Sequence, residues 1–276
     1  MTSSSPTGRS AASIPPAPEA PALVDGGASR TVAVAGRGRA GGSFAAALAR
    51  SGWRVEEVPG RSVPVGVVDS ADLVLLAVPD GVVADVARSL QPGRAVVAHC
   101  SGSLGLDALA PHQRVASIHP LVSLSTPEVG AERLRGAWFA VAGDPAVGHG
   151  LALAVVEELG GRPVDVPDDR RVAYHAAAAV ASNHLVALLG QVERLAAAAG
   201  VPAEAYWDLA RPTIDNVVEQ GAAAALTGPV ARGDWETVRR HLAAIAPDER
   251  DAYLAMSVAA ARLVGRDVPD DLRVRP

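Results

Sequence analysis

Residues able to do chemistry gather where apolar runs of this chain end: His99-Cys100-Ser101-Gly102, His119-Pro120-Leu121, and, within a helical pattern, Tyr174-His175 and Ser182-Asn183. Histidine titrates near neutrality and can supply or take the proton that accompanies hydride transfer to a carbonyl or imine. His119 is the first candidate for that work, with Ser101 as a partner orienting a substrate oxygen and with Asn183 and His175 as further candidates. Each has a plainer alternative: His119 capping a strand, Ser101 making a turn, His175 hydrogen-bonded at a domain interface. Cys100 beside His99 suggests a thiol nucleophile, but neighbours on a strand point to opposite faces, which argues against a dyad. The seven histidines contain no i, i+4 pair, so no metal site is expected.

The run Thr31–Ala35 leads straight into Gly36-Arg37-Gly38-Arg39-Ala40-Gly41, and a helical pattern follows at once. In that context the three glycines permit a tight turn, close approach to a pyrophosphate, and helix-on-strand packing, with amide N–H groups meeting the anion. A dinucleotide is the expected ligand. An acidic residue at the end of the second strand would select NAD, and Glu56 and Glu57 lie within that strand. Gly60-Arg61-Ser62 follows the strand's end, and an arginine with a hydroxyl suits a 2′-phosphate, so NADP is favoured over NAD. Arg37 would add a second cation, and Val78 and Pro79, after the third strand, would line the cofactor.

The elements that must hold these groups follow from periodicity. Short apolar runs alternate with alanine-rich amphipathic stretches up to Asp168-Asp169, the pattern of βα units around a parallel sheet buried on both faces. Strands are expected at Thr31–Ala35, Arg54–Val58, Leu73–Ala77, Ala95–Ala98, Val115–Ile118, Trp138–Val141 and Pro163–Val166, with helices at Ala40–Ser51, Val82–Ser89 and Ala146–Leu159. Beyond them only helical patterns occur: Arg170–Ala199, Ala203–Thr227 with a break near Pro212, Asp234–Ala246 and Asp248–Val264, with Asp234 and Asp248 as N-caps. The expected fold is α/β: a Rossmann domain with a mostly parallel sheet over residues 30–168, then an all-helical domain over 169–266. Residues 1–29, rich in Ala, Pro, Ser and Gly, form an expected disordered tail, and 267–276 a short second one.

Composition narrows the partners. The formal net charge is −5 and aromatic residues are 3% of the 276, so no basic stacking surface for nucleic acid is expected. No window approaches the ~20 consecutive apolar residues of a membrane span, so no membrane partner is expected either. The single cysteine fits a reducing cytoplasm. There is no lysine at all, every basic side chain beyond histidine being arginine.

The order of Gly36-x-Gly38-x-x-Gly41, Ala77-Val78-Pro79-Asp80, His99-Cys100-Ser101-Gly102, Ser117-Ile118-His119-Pro120, Tyr174-His175-Ala176-Ala177 through Ser182-Asn183, and Leu226-Thr227-Gly228-Pro229 through Arg232-Gly233-Asp234 resembles one family. It is the Rossmann-like oxidoreductases with a C-terminal domain of unknown function 2520, a branch of the 6-phosphogluconate dehydrogenase-like superfamily. The resemblance implies a helical second domain and a homodimer joined through it. Many superfamily members use a lysine on the first helix of that domain, with an asparagine four residues later. Asn183 fits the asparagine, but the lysine position is Ala179. Prephenate dehydrogenases offer another template, a His-Pro motif that His119-Pro120 resembles, which implies His119 as general acid/base. A likeness to an alternative ketopantoate reductase implies a small 2-oxo acid substrate.

The expected function is therefore an NADP-dependent oxidoreductase acting on a small carbonyl or imine compound. Two alternatives stand beside it: a non-catalytic NADP(H)-binding sensor, and a prephenate-like NAD-dependent dehydrogenase. An anionic substrate would need a cation, for which Arg211 and Arg232 are the candidates of the helical half.

Overall fold

The computed structural model describes residues 29–61 and 63–273; nearly all of the expected N-terminal tail, and Ser62, lie outside them. The chain divides into two compact units, the first ending at Ala179 and the second starting at Val180, a boundary later than the one expected after Asp168.

The first unit is built on a seven-stranded sheet in the order β2-β1-β3-β4-β5-β6-β7. Its strands are β1 (Thr31–Ala35), β2 (Arg54–Val58), β3 (Leu73–Leu76), β4 (Val96–His99), β5 (Val115–Pro120), β6 (Trp138–Gly143) and β7 (Arg162–Asp165). Only the β5–β6 pairing is antiparallel. The helices are α1 (Arg39–Arg50), α2 (Val67–Ser70), α3 (Asp80–Ser89), α4 (Pro127–Leu134), α5 (Gly148–Glu158) and α6 (Asp168–Ala179).

Side chains alternate across each strand, and the two resulting sets feed two cores. Val32, Val34, Leu73, Leu75, Val96, Ala98, Ala116 and Ile118 pack with residues of α1, α4 and α5. Ala33, Ala35, Val74, Leu76 and Val97 pack on the other face with residues of α2 and α3. Such double coverage explains why these strands are uninterrupted apolar runs. Phe44 of α1 meets Phe139 of β6 edge-on, ring centroids 6.4 Å apart. Behind them Trp53 Nε1 donates to the Glu158 carboxylate, which also takes Arg30.

Helix α4 was not expected from periodicity, although its signals are in the sequence: Thr126 caps it by accepting from the Val129 amide at 3.3 Å, and Pro127 opens it. It lies tight on α1, where a Cβ at Gly42 would strike the Pro127 ring and one at Gly130 would strike the Ser43 hydroxyl.

The second unit begins with a π-helical turn, Val180–His184, followed by α7 (Leu185–Ala198), α8 (Glu204–Gln220), α9 (Ala222–Ala225), α10 (Gly228–Arg232), α11 (Trp235–Ala244) and α12 (Arg250–Leu263). The expected break at Pro212 does not occur, and α8 runs through it. The proline leaves the Asp208 carbonyl without its helical partner, at a residue that is exposed and open to solvent. Asp234 caps α11 as expected, accepting from the Thr237 amide. Asp248 caps nothing: it sits in a 3-10 turn, and neighbouring Glu249 instead pairs with Arg194 while its carbonyl accepts from Gln191. A small core of Val230, Val238, Ala261 and Leu272 closes this unit, so residues up to 273 are packed rather than tail.

Phe139 is fully buried, and Phe139→Ala should cost about 3–5 kcal/mol of unfolding free energy, measured by urea titration.

Candidate functional site

Strands β1, β3, β4 and β5 are parallel, so their carboxyl ends share one edge of the sheet, where ligands of such folds bind. The phosphate loop leaves β1 at this edge. Gly36 has φ +118°, a region open mainly to glycine, and its amide donates to the Val58 carbonyl at 3.1 Å, tying the loop to the end of β2. A Cβ at Gly41 would overlap the Gly36 carbonyl oxygen, whereas one at Gly38 would meet nothing within 4 Å. The two glycines thus differ in purpose: Gly41 permits the packing of α1 on the loop, and Gly38 leaves open space for an approaching group. No side chain caps α1, so the amides of its first turn are available to an anion.

Arg37, Arg39 and Arg61 are exposed around this loop, and Ala40 begins the buried side of α1. Gly60 lies against Gly36 and Val78, which brings the chain after β2 to the loop. β2 ends at Val58, buried and in register with Ala35, while Glu56 and Glu57 fall earlier and are exposed. No carboxylate therefore stands at the tip of β2. Val78 and Pro79 follow β3 beside the loop, Pro79 directly preceding α3. Ser62, the remaining expected phosphate ligand, lies outside the described residues.

The acid/base candidates assemble on one face of the same edge. Ala116 and Ile118 belong to the core under α1 and α5, so Ser117 and His119 face the opposite side, and His99 pairs in register with Ser117. His119 Nδ1 lies 2.7 Å from the Tyr174 hydroxyl, with the rings edge-on. Its ring is 5.8 Å from that of His175. Gly102 fits between them: a Cβ there would collide with His175 Nδ1 and with His119 Nε2. Arg171, fully buried, completes the group, its Nη1 3.5 Å from the Ser101 carbonyl oxygen.

Burial drives the electrostatics. It lowers His119 to about 4, helped by His175 and Arg171 and opposed by Asp80. His99 falls to about 4 for the same reason, against a hydrogen bond to the Gly105 carbonyl that favours the charged ring. Both rings are neutral at pH 7. Burial also raises Tyr174, which keeps its proton, and lowers Arg171. Cys100, pushed up to about 12 by burial, is a thiol packed on the opposite core with a long contact to the Leu76 carbonyl. The strand geometry that separates it from His99 is as expected.

Ser101 is placed differently from its expected role as His119's partner. Its hydroxyl donates to Asp80 at 2.7 Å and accepts from the amides of Ser103 and Leu104, both at 3.2 Å. With its donor and acceptor capacity so committed, it locks the loop after β4 to the start of α3. Ser103 donates to the same Asp80 oxygen. His175 has a buried Nδ1 with no partner among the described residues, not the hydrogen bond of the plainer alternative. Asn183 lies in the second unit, exposed, accepting from Ser182 at 3.1 Å. The helical pattern expected to run from Arg170 to Ala199 is interrupted by the π-turn at 180–184, which changes the register between His175 and Asn183. Arg211 and Arg232 also lie in the second unit, Arg211 exposed and paired with Asp208. Arg171, Tyr174, Asp80 and Gly102 are the members sequence reasoning did not assign; only the adjacency of Tyr174 to His175 and of Gly102 to Ser101 hinted at them.

The fold has known counterparts. Residues 137–260 match the family model described as a domain of unknown function, DUF2520. Protein TM1727 from Thermotoga maritima aligns with a TM-score of 0.65 at 27% identity, covering 85% of this chain and 98% of that one. Protein BF3122 from Bacteroides fragilis aligns with a TM-score of 0.72 at 18% identity, over 85% and 98% of the two chains. The 1-pyrroline-5-carboxylate reductase from Streptococcus pyogenes gives 0.60 at 14% identity, over 85% and 99%. No curated protein matches the sequence.

His99 titrates at 6.5 when unfolded and near 4 when folded, so its neutral burial stabilises the fold above about pH 6.5 and that stability is lost as pH falls toward 4. The loss should be on the order of 3 kcal/mol. Denaturant unfolding at pH 7 and pH 4.5 measures it, and His99→Asn should reduce the difference by about that amount, leaving the share that His119 contributes.

Proposed function

We propose that this chain, a Rossmann-type protein whose residues 137–260 carry the domain of unknown function 2520, is an NADP-dependent oxidoreductase acting on a small carbonyl or imine substrate. The observation that carries this reading is the placement of His119, partly buried and neutral, on the same strand edge as an uncapped phosphate loop.

The loop fits a dinucleotide because Gly38 faces open space and the first-turn amides of α1 are free of a side-chain cap. Gly36, Gly38 and Gly41 with Arg37, Arg39 and Ala40 would hold the pyrophosphate, Arg61 and Ser62 the 2′-phosphate, and Val78 and Pro79 the ring side. NADP is supported over NAD by the apolar end of β2, where a ribose-binding carboxylate would stand, and by the exposed arginines around the loop. That same feature weighs against a prephenate-like NAD enzyme. Among the counterparts, BF3122 is provisionally named an NADP oxidoreductase, and a Plasmodium falciparum pyrroline carboxylate reductase has NADP bound.

NADPH would supply the hydride. His119 would give the proton to the oxygen or nitrogen of the reduced bond from Nε2, which points away from Tyr174 and toward Gly102. His175 would position the substrate, and Ser101 would shape the loop rather than touch it. A small 2-oxo acid such as ketopantoate remains our substrate proposal.

We also propose a homodimer formed through the helical half. Val186 of α7 and Leu209, Ile214, Val217 and Val218 of α8 are exposed, Val218 at 80%, and Ile214, Val217 and Val218 share one helical stripe. The run Asp168–Ala198 is by length and composition long and apolar enough to cross a membrane, although its apolar residues are interrupted by polar ones throughout. We assign this apolar surface to subunit contact.

Three measurements test these proposals. Arg61→Ala should weaken NADPH binding about tenfold or more while leaving NADH affinity unchanged, as loss of one charge-assisted contact implies. His119→Gln should lower kcat by about 10²–10⁴ with 2-oxo acids or imines as substrates; tight NADPH binding with no turnover by the native protein would favour the non-catalytic sensor instead. Sedimentation should give twice the chain mass, and Val218→Glu should halve it.

A further inference from the structure

Arg171 is the most demanding side chain of the first unit. Its guanidinium is fully buried, and Nε and Nη2 have no hydrogen-bond partner among the described residues. Asp168 Oδ1 stands 3.4 Å from Nε without hydrogen-bond geometry, while its other oxygen is taken by the Leu106 amide. A buried cation with unused donors is costly unless something compensates it. One turn along α6 lies Tyr174, on the same helix face. The positive charge of Arg171 acts on that phenol, favouring its ionised form against burial.

Tyr174 is also the group that faces His119 Nδ1, at 2.7 Å. His119 is neutral, so its ring carries one proton. The phenol keeps its own proton and has no other hydrogen-bond partner among the described residues, so the arrangement that uses its O–H has it donating to Nδ1, with the ring proton on Nε2. That nitrogen faces Gly102, where the unpaired, buried Nδ1 of His175 also arrives. A neutral imidazole that gave up its Nε2 proton with nothing in return would become an imidazolate. A proton delivered to Nδ1 in the same event avoids this.

We propose that Tyr174 is the positioning residue that keeps the His119 proton on Nε2 and then passes its phenolic proton to Nδ1, the tyrosinate so formed lying one helical turn from the buried guanidinium of Arg171. The inference rests on the acid role given to His119 above. In the step, hydride from NADPH provides the electron pair of the new C–H bond, and the Nε2–H bond breaks as the product O–H or N–H bond forms. The phenolic O–H bond breaks as Nδ1–H forms; when product leaves, the Nδ1 proton returns to the tyrosinate as Nε2 takes a proton from water, which restores the starting tautomer. The charge thus appears one helical turn from Arg171, whose ion pair with Asp168 at 3.4 Å leaves Nη2 without a hydrogen-bond partner among the described residues.

The test uses the full-length protein, 15N-labelled at histidine and loaded with NADPH at pH 7, with His119 assigned by comparison with His119→Gln. A protonated Nε2 and a bare Nδ1 are expected. Tyr174→Phe, which keeps the ring, should convert this into a mixture of tautomers while unfolding stays cooperative. It should also lower kcat at least about tenfold, with KM and NADPH affinity moving less than about twofold. A proton on Nδ1 in the native protein, a tautomer unchanged in Tyr174→Phe, or turnover undiminished by that substitution overturns the proposal. If the tautomer behaves as stated but no carbonyl or imine compound is reduced, the oxidoreductase reading fails and the tautomer assignment stands.

Discussion

Coverage of the sheet on both faces is the constraint from which the site follows. Apolar cores occupy the two faces of β1, β3, β4 and β5, and a polar group inside either would need a partner that aliphatic side chains cannot provide. Polar side chains are therefore pushed to the ends of the strands. The carboxyl edge receives both the glycine loop after β1 and the side-chain row His99, Ser117 and His119. The amides of α1 supply the positive end of a helix there, and α6 brings Arg171, Tyr174 and His175 against the row.

The second consequence is electrostatic. Partial burial strips water from His119 and His99, and Arg171 makes a second positive charge beside them unfavourable, so both rings stay neutral. Asp80 works in the opposite direction, but its carboxylate is occupied by two serine hydroxyls. A neutral histidine can still serve as a donor when its other nitrogen is held by a hydrogen bond, which is how the Tyr174 contact gives the ring a direction.

Glycines 36, 38 and 41 are informative because each answers to a local backbone need that spacing alone displays, and in the fold each meets a different one. Strand positions were equally plain, since two-sided burial writes itself as unbroken apolar runs. α4 was overlooked because its polar N-terminal half weakens the apolar period, although Thr126-Pro127 carried a capping signal. Pro212 misled because an exposed helix can leave one carbonyl to water. The unbroken helical period expected over Arg170–Ala199 misses the π-turn at 180–184, because such a turn adds a residue without any marker in the sequence.

By itself, then, the amino-acid sequence determined the α/β-then-helical order, the dinucleotide loop, the absence of a lysine acid and the singling out of His119. These depend on neighbours along the chain or on composition, where distance in sequence is distance in space. Only the tertiary structure decided that Ser101 is consumed by Asp80, that a tyrosine fifty-five positions away holds His119, and that Arg171 is buried with donors to spare. Such facts belong to contacts between separate strands and helices, and no local pattern of residue types encodes which side chain meets which across a fold.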